Sequence, residues 1–209
     1  MLKPINWKNF PRDFAVIQFG FALFGFAIVL LIRAHLGTNP WAVLEVALAD
    51  LINVKAGTMS IVVGFMVLAA ALLLREQVGW GTLTNIIFIG LWVNLFLDYV
   101  PDVYGPLWLQ TGMVLLSIAI HGVASAIYIG VNAGAGPRDS LMLAINRTTG
   151  RSIQLARLAI ESSVVLAGWF LGGPLGLGTL AFALLIGPAV QWGFKTFNVK
   201  TNRPNPNNQ

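Results

Sequence analysis

Long stretches of this chain carry no Asp, Glu, Lys or Arg: positions 14 to 32, 56 to 74, 77 to 97, 103 to 137 and 162 to 194. Each run is close to or above the roughly 18 apolar residues that a helix needs to cross a bilayer. Placing helices on them predicts six spans, at about 14 to 34, 58 to 74, 80 to 99, 107 to 131, 153 to 171 and 177 to 194. Two further helices are expected at Pro40 to Val54 and Pro137 to Thr149. At 1.5 Å per residue these reach only about 22 and 20 Å, short of the roughly 30 Å hydrocarbon core, so neither should cross alone. Both open with Gly, small polar residues and Pro at the first helical position, where the missing N–H costs nothing.

The two halves repeat. A shift of 97 residues places Gly25 on Gly122, Gly37 on Gly134, Pro40 on Pro137, Gly79 on Gly176, Gly81 on Gly178, Thr82 on Thr179 and Gly90 on Gly187. Gly57 meets Gly150 if a four-residue gap is allowed in the loop. Each unit therefore reads span, Gly/Pro break with short helix, span, span, over about 14 to 100 and 107 to 197. Three spans per unit is an odd number, so the second copy enters the membrane from the opposite side. The expected fold is an all-α polytopic helix bundle, a single membrane domain over 1 to 209 built from two inverted three-helix repeats. A polar tail, 198 to 209, is expected to be a disordered cytoplasmic end.

Composition sharpens the class. With 56% apolar and 10% charged residues, the chain lies far from the soluble mean of about 25% charged. No Cys is present, which removes disulfides, thiolate nucleophiles and Cys-type zinc sites. The net charge of +5 comes without a basic stripe interleaved with aromatics, so nucleic acid is not an expected partner. Lys and Arg sit instead at the ends of apolar runs. With six spans and the N-terminus inside, the inner face receives Lys3, Lys8, Arg12, Arg75, Arg147, Arg151, Lys195, Lys200 and Arg203, against Arg33 and Lys55 outside. Both termini are thus expected in the cytoplasm. The N-terminal run is too long for a usual signal-peptide core and lacks a small-residue cleavage site, so it reads as a retained first span.

Chemistry concentrates at the repeated breaks. Backbone that is not helical at membrane depth is tolerated only where it is buried in protein or lines a wet cavity. Gly37, Asn39, Pro40, Gly136, Pro137, Arg138 and Asp139 are therefore candidate binding residues. Two placements are open. Both short helices could dip in from opposite faces, aiming free N–H groups and positive dipole ends at an anion or polar solute, with Arg138 strengthening the anion preference and Asp139 tempering it. Alternatively both could lie flat at the interface, with Trp41, Leu44, Leu48 and Leu51 as an apolar stripe and Glu45 on another face. Recurrence of the break in both halves favours the first. Glu161, near the centre of the fifth span with Arg157 one turn before it, is a candidate coupling carboxylate, and His121 a candidate relay able to hydrogen-bond it. Gln18, Asn85 and Asn94 read as interhelical hydrogen-bonding amides. Gly79-Trp80-Gly81-Thr82 and Gly176-Leu177-Gly178-Thr179 lack the Lys and strand of a phosphate loop and read as tight helix starts. No nucleophile elbow or zincin helix is present, no cofactor is implied, and His35 and His121 lack the spacing of metal ligands.

The pair Ala34-His35-Leu36-Gly37-Thr38-Asn39-Pro40-Trp41 and Gly134-Ala135-Gly136-Pro137-Arg138-Asp139-Ser140-Leu141, followed by Gly176-Leu177-Gly178-Thr179 and Gly187-Pro188, resembles the bacterial YczE/YyaS/YitT group of integral membrane proteins. The resemblance spans most of 14 to 194 and implies a small multi-pass protein of the bacterial cytoplasmic membrane, without a substrate or reaction. Taken with the repeat, the expectation is a transporter or channel-like facilitator of a small polar or anionic solute, not an enzyme, with room for a homo-oligomer. The rival class is a membrane accessory protein that binds a partner and moves nothing.

Overall fold

A computed structural model describes residues 7–76, 78–134, 136–151 and 153–199, apart from the side chains at positions 139, 143, 153, 154 and 157. The tail from Thr201 lies outside the described residues. Within them the chain is all helix: α1 (Phe10–Arg33), α2 (Pro40–Ile52), α3 (Ala56–Leu73), α4 (Trp80–Leu97), α5 (Leu107–Gly130), α6 (Pro137–Thr149), α7 (Ile153–Phe170) and α8 (Leu177–Thr196). Five of these, α1, α3, α4, α5 and α8, are long and apolar enough to cross a membrane. The expected fifth span, α7, is 18 residues long and holds an apolar stretch over Leu158–Phe170.

Helix starts in the second half follow those in the first at one constant offset, 10 to 107, 40 to 137, 56 to 153 and 80 to 177. Positive-φ residues fall into the same register: His35 and Asn132, Gly37 and Gly134, Asn53 and Gly150, Arg75 and Gly172. No gap is needed, which corrects the match of Gly57 to Gly150. Gly150 stands opposite Asn53, and both form the left-handed C-cap of a short helix. Asn is the side chain that most readily takes over that conformation from Gly.

Packing follows the same exchange. α1 lies on α4 as α5 lies on α8, α2 lies on α7 as α6 lies on α3, and α1 meets α5 between the halves. Even single hydrogen bonds recur. The Gly178 N–H donates to the Leu36 carbonyl at 2.6 Å, and the Gly81 N–H donates to the Ala133 carbonyl at 3.0 Å. Gly79 and Gly176 open α4 and α8 as tight starts, each N–H reaching the Thr hydroxyl three residues on.

The short helices run toward opposite ends of the bundle. α2 ends at the turn into α3, where Lys55 pairs with Asp98 at 2.6 Å and Arg33 with Asp102 at 2.5 Å. α6 ends against the other end of α3, where Arg147 pairs with Glu76 at 3.1 Å and donates to the Leu74 carbonyl. α2 is no surface helix: consecutive residues Trp41, Ala42 and Val43, and Glu45 beyond them, are buried. A helix lying flat would bury a single stripe, so that placement does not hold for α2.

Candidate functional site

The helix starts at Asn39 and Gly136 face one cavity of about 210 Å³ in the middle of the bundle. That is far above the roughly 10–15 Å³ needed for one water. Its walls come from the middle turns of the long helices, among them Phe24, Ser60, Gly64, Asn85, Ile86 and Phe182. Asn39, Pro40 and Trp41 line it from α2, and Gly136, Pro137 and Arg138 from α6.

Local sequence sets each polar group. Asn39 is the N-cap of α2, its side-chain oxygen accepting the Ala42 N–H at 3.0 Å. This satisfies one of the four orphan donors of the first turn. The Asn39 amide NH₂ keeps no hydrogen-bond partner among the described residues, although the residue is only 5% exposed. Opposite, Arg138 donates to the Glu45 carboxylate and lies over the Trp41 ring, 4.8 Å from its centroid. Trp41 and Arg138 are counterparts under the 97-residue offset, so the cation–π contact joins equivalent positions of the two halves.

Glu45 changes the electrostatics of the site. Its side chain is 4% exposed, and a carboxylate so buried is tolerable only with a charged partner. Arg138 is that partner, so its positive charge is already matched. Sequence reading had set Glu45 aside by following the stripe Trp41, Leu44, Leu48. The missed signal is that Glu45 stands one helical turn after Trp41, on the same face.

His121 lines the cavity from α5 and is 2% exposed. Its Nδ1–H donates to the Ser117 carbonyl at 3.1 Å, which fixes the tautomer and leaves Nε2 as an acceptor without a partner among the described residues. The rings of Phe24 and Phe182 stand edge-on to it, at 4.5 and 5.1 Å between centroids. His121 thus bonds Ser117 and not Glu161, yet both line the same cavity. Glu161 reaches it from the centre of α7.

Other expected residues fall elsewhere. Gly37 does not face the cavity. Its φ of +99° and its approach to Gly176 and Thr179 seat the start of α2 against α8, where a Cβ would fall 2.5 Å from the Gly176 nitrogen. The side chains of Asp139 and Arg157 lie outside the described residues. His35 sits at the end of the bundle, its Nε2–H donating to Asp102 at 2.7 Å and its ring stacked on Tyr104. The Asp102 carboxyl, on the segment between α4 and α5, is held below its usual 3.8, chiefly by the hydrogen bond from Arg33, with burial opposing and His35 assisting. Of the amides, Gln18 accepts from Trp92 and Asn94 donates to Thr58, both across helices, whereas Asn85 faces the cavity.

Comparison with known proteins gives relatives without an activity. A family described as of unknown function (DUF6198) matches residues 11–195. A Haemophilus influenzae protein described as uncharacterised is 34% identical over 189 residues, covering 89% of this chain and 85% of the relative. The uncharacterised membrane protein YczE of Bacillus subtilis is 31% identical over 173 residues, covering 80% and 79%. YyaS of the same organism, also described as uncharacterised, is 26% identical over 172 residues, covering 80% and 85%. No solved structure matches.

Proposed function

From a chain that belongs to the family of unknown function DUF6198, and with YczE to a group of multi-pass membrane proteins, we propose a carrier for a small polar solute of the bacterial cytoplasmic membrane. It is built from two inverted three-span repeats with α7 as the sixth span. One observation carries the reading: two short helices that run toward opposite ends of the bundle open their N-termini on a single central cavity. Transporters place substrates at such repeat interfaces, where the freed N–H groups of broken helices meet a polar ligand.

Charge distribution supports the orientation with both termini inside. The outward face holds Arg33 and Lys55, and each is neutralised by an aspartate. More Lys and Arg stand on the other side, at Lys8, Arg12, Arg75, Arg147, Arg151 and Lys195, as the positive-inside bias requires. Inside the cavity the matched Arg138–Glu45 pair, the Asn39 donor and the His121 acceptor favour a ligand that both gives and receives hydrogen bonds over a simple anion. Glu161 is the coupling carboxylate in this account, linking movement of the solute to movement of protons.

A thermal-shift screen of the purified protein against amino acids, carboxylates, amines and phosphorylated head-group pieces tests this, followed by uptake into proteoliposomes. At least one compound should shift the native protein, and Arg138→Ala and Asn39→Ala should each remove the shift. Absence of any solute-dependent shift, together with a stoichiometric co-purifying protein, would assign the chain to the accessory class instead.

A further inference from the structure

The cavity is walled on one side and open on the other. On the walled side α3 and α4 pack closely because Gly57, Gly64 and Gly90 let the backbones approach. A Cβ on Gly64 would fall 2.9 Å from Ile86, and one on Gly90 would fall 2.5 Å from the Gly57 carbonyl oxygen. Asn94 Nδ2–H donates to Thr58 across the seam at 2.8 Å. Such small-residue seams are how helices associate in lipid.

At the constant offset the same positions in the second half are Gln154, Glu161 and Gly187, with Leu155 and Gln191 in place of Thr58 and Asn94. Two of the three seam glycines are thus replaced by long polar side chains, and the hydrogen-bonding pair is lost. Among the described residues α7 and α8 do not pack along their length. Gly187 remains small yet has nothing within 4 Å of its would-be Cβ. The cavity is lined by Ile160 and Glu161 from α7 and by Ile186 and Val190 from α8, so it continues into the gap between these helices. On the outer surfaces of α7 and α8, Leu158 and Leu184 are 64% and 77% exposed.

In a bilayer that gap faces acyl chains and not water. A purely hydrophilic solute gains nothing from such an opening, and polar groups left facing hydrocarbon cost several kcal/mol each. The site has room for a polar group of a few heavy atoms. Its walls toward the gap are aliphatic at Ile160, Ile186 and Val190, with the Glu161 carboxylate the one polar group among them. Only a ligand with one end of each kind suits both parts.

The geometry points to a lateral portal between α7 and α8, through which the site takes an amphiphile from the bilayer with its polar head at Arg138, Asn39 and His121 and its chain past Ile160, Ile186 and Val190. This inference rests on the carrier reading of the same cavity and narrows its polar solute to the head group of an amphiphile. The matched pair of charges, with a free donor and a free acceptor beside it, suits a zwitterionic or hydrogen-bonding head.

The probe is a phosphatidylethanolamine with a diazirine in its acyl chain, mixed into phosphatidylglycerol vesicles that hold the full-length protein. Photolysis and peptide mapping should label Ile186 and Val190 inside the portal as well as Leu115 and Leu116, which are half exposed on α5 and meet bulk lipid. Arg138→Ala should reduce the inner labelling roughly fivefold, the loss of one charge-assisted contact, and leave that at Leu115 unchanged. Gly187→Trp, placed where the backbone has open space, should fill the gap and remove the inner labelling from a folded protein. Inner residues unlabelled in the native protein, or labelled equally after Gly187→Trp, would overturn the portal. So would a dimer joined through Gly187→Cys, because a second copy would then occupy the gap. None of these three results bears on the carrier reading, which the solute-dependent shift decides separately.

Discussion

Substituting alanine at Gly90 and at Gly187 asks the two halves the same question and should receive opposite answers. A Cβ on Gly90 falls 2.5 Å from the Gly57 carbonyl oxygen and closer still to Ile61 Cγ1. The oxygen belongs to backbone and cannot turn aside, so α3 and α4 must separate. Overpacking of this kind costs about 1–3 kcal/mol. Weakening of the Asn94–Thr58 bond across the seam adds about 1 kcal/mol. The better helix propensity of Ala returns at most about 1 kcal/mol. Gly90→Ala is therefore expected to destabilise by about 1–3 kcal/mol. At Gly187 no atom beyond its chain neighbours lies within 4 Å. Propensity favours Ala by at most about 1 kcal/mol, and the ring of Pro188, which crowds a Cβ on the residue before it in a helix, offsets this, so the variant should be close to neutral. The two should differ by about 1–3 kcal/mol, at least about fivefold in the unfolding equilibrium. Reversible unfolding in mixed micelles, followed by tryptophan fluorescence, measures both in parallel. Equal losses, or a larger loss at Gly187, would show that α7 and α8 do pack and that the open seam is wrong.

Further expectations concern charge. Arg138→Ala strands the buried Glu45 carboxylate and should cost about 3 kcal/mol, whereas adding Glu45→Gln to it should recover more than half of the loss. A double-mutant cycle by the same unfolding assay reads this, and full additivity would mean the pair does not interact. The Asp102 carboxyl has a folded-state pKa below its ordinary 3.8. Its contribution is therefore complete above that value and is lost as pH falls through the lowered one. Hydrogen exchange of residues 98–106 should stay slow from pH 7 to about pH 4 and quicken below it, while Asp102→Asn should exchange fast throughout; fast exchange of the native protein at pH 7 would show that Asp102 does not hold this segment to Arg33 and His35. Arg33→Gln, which removes the first cause of that shift, should move the onset of fast exchange upward in pH, and an unmoved onset would assign it to another group.

Much of the fold was legible because the bilayer imposes it. The starts of α2 and α6 fall at Pro40 and Pro137 as expected, since a proline fixes the first helical turn whatever surrounds it. The 97-residue register was legible in glycines that meet backbone, such as Gly81 and Gly178. It was misread between Asn53 and Gly150, where matching by residue type hides two side chains that serve one left-handed conformation. The expected cavity residues Asn39, Pro40, Gly136, Pro137, Arg138, Glu161 and His121 do share one space. Glu45 was missed because its partner is 93 positions away; the local pattern places it on the face of Trp41 but does not name Arg138. The open α7–α8 seam was equally hidden. It depends on comparing Gly64 with Glu161, which only becomes meaningful once both are known to line one cavity.

Sidedness of labelling tests the central claim most directly. In this chain without native Cys, single cysteines at positions 55 and 149 report the ends of α2 and α6, and those at 102 and 75 the faces to which each belongs. In intact cells an impermeant maleimide should label 55 and 102, while 75 and 149 react only after the membrane is opened. Labelling of 55 and 149 from the same side would place both short helices on one face, and two helix starts converging from opposite faces on a common cavity could then not exist.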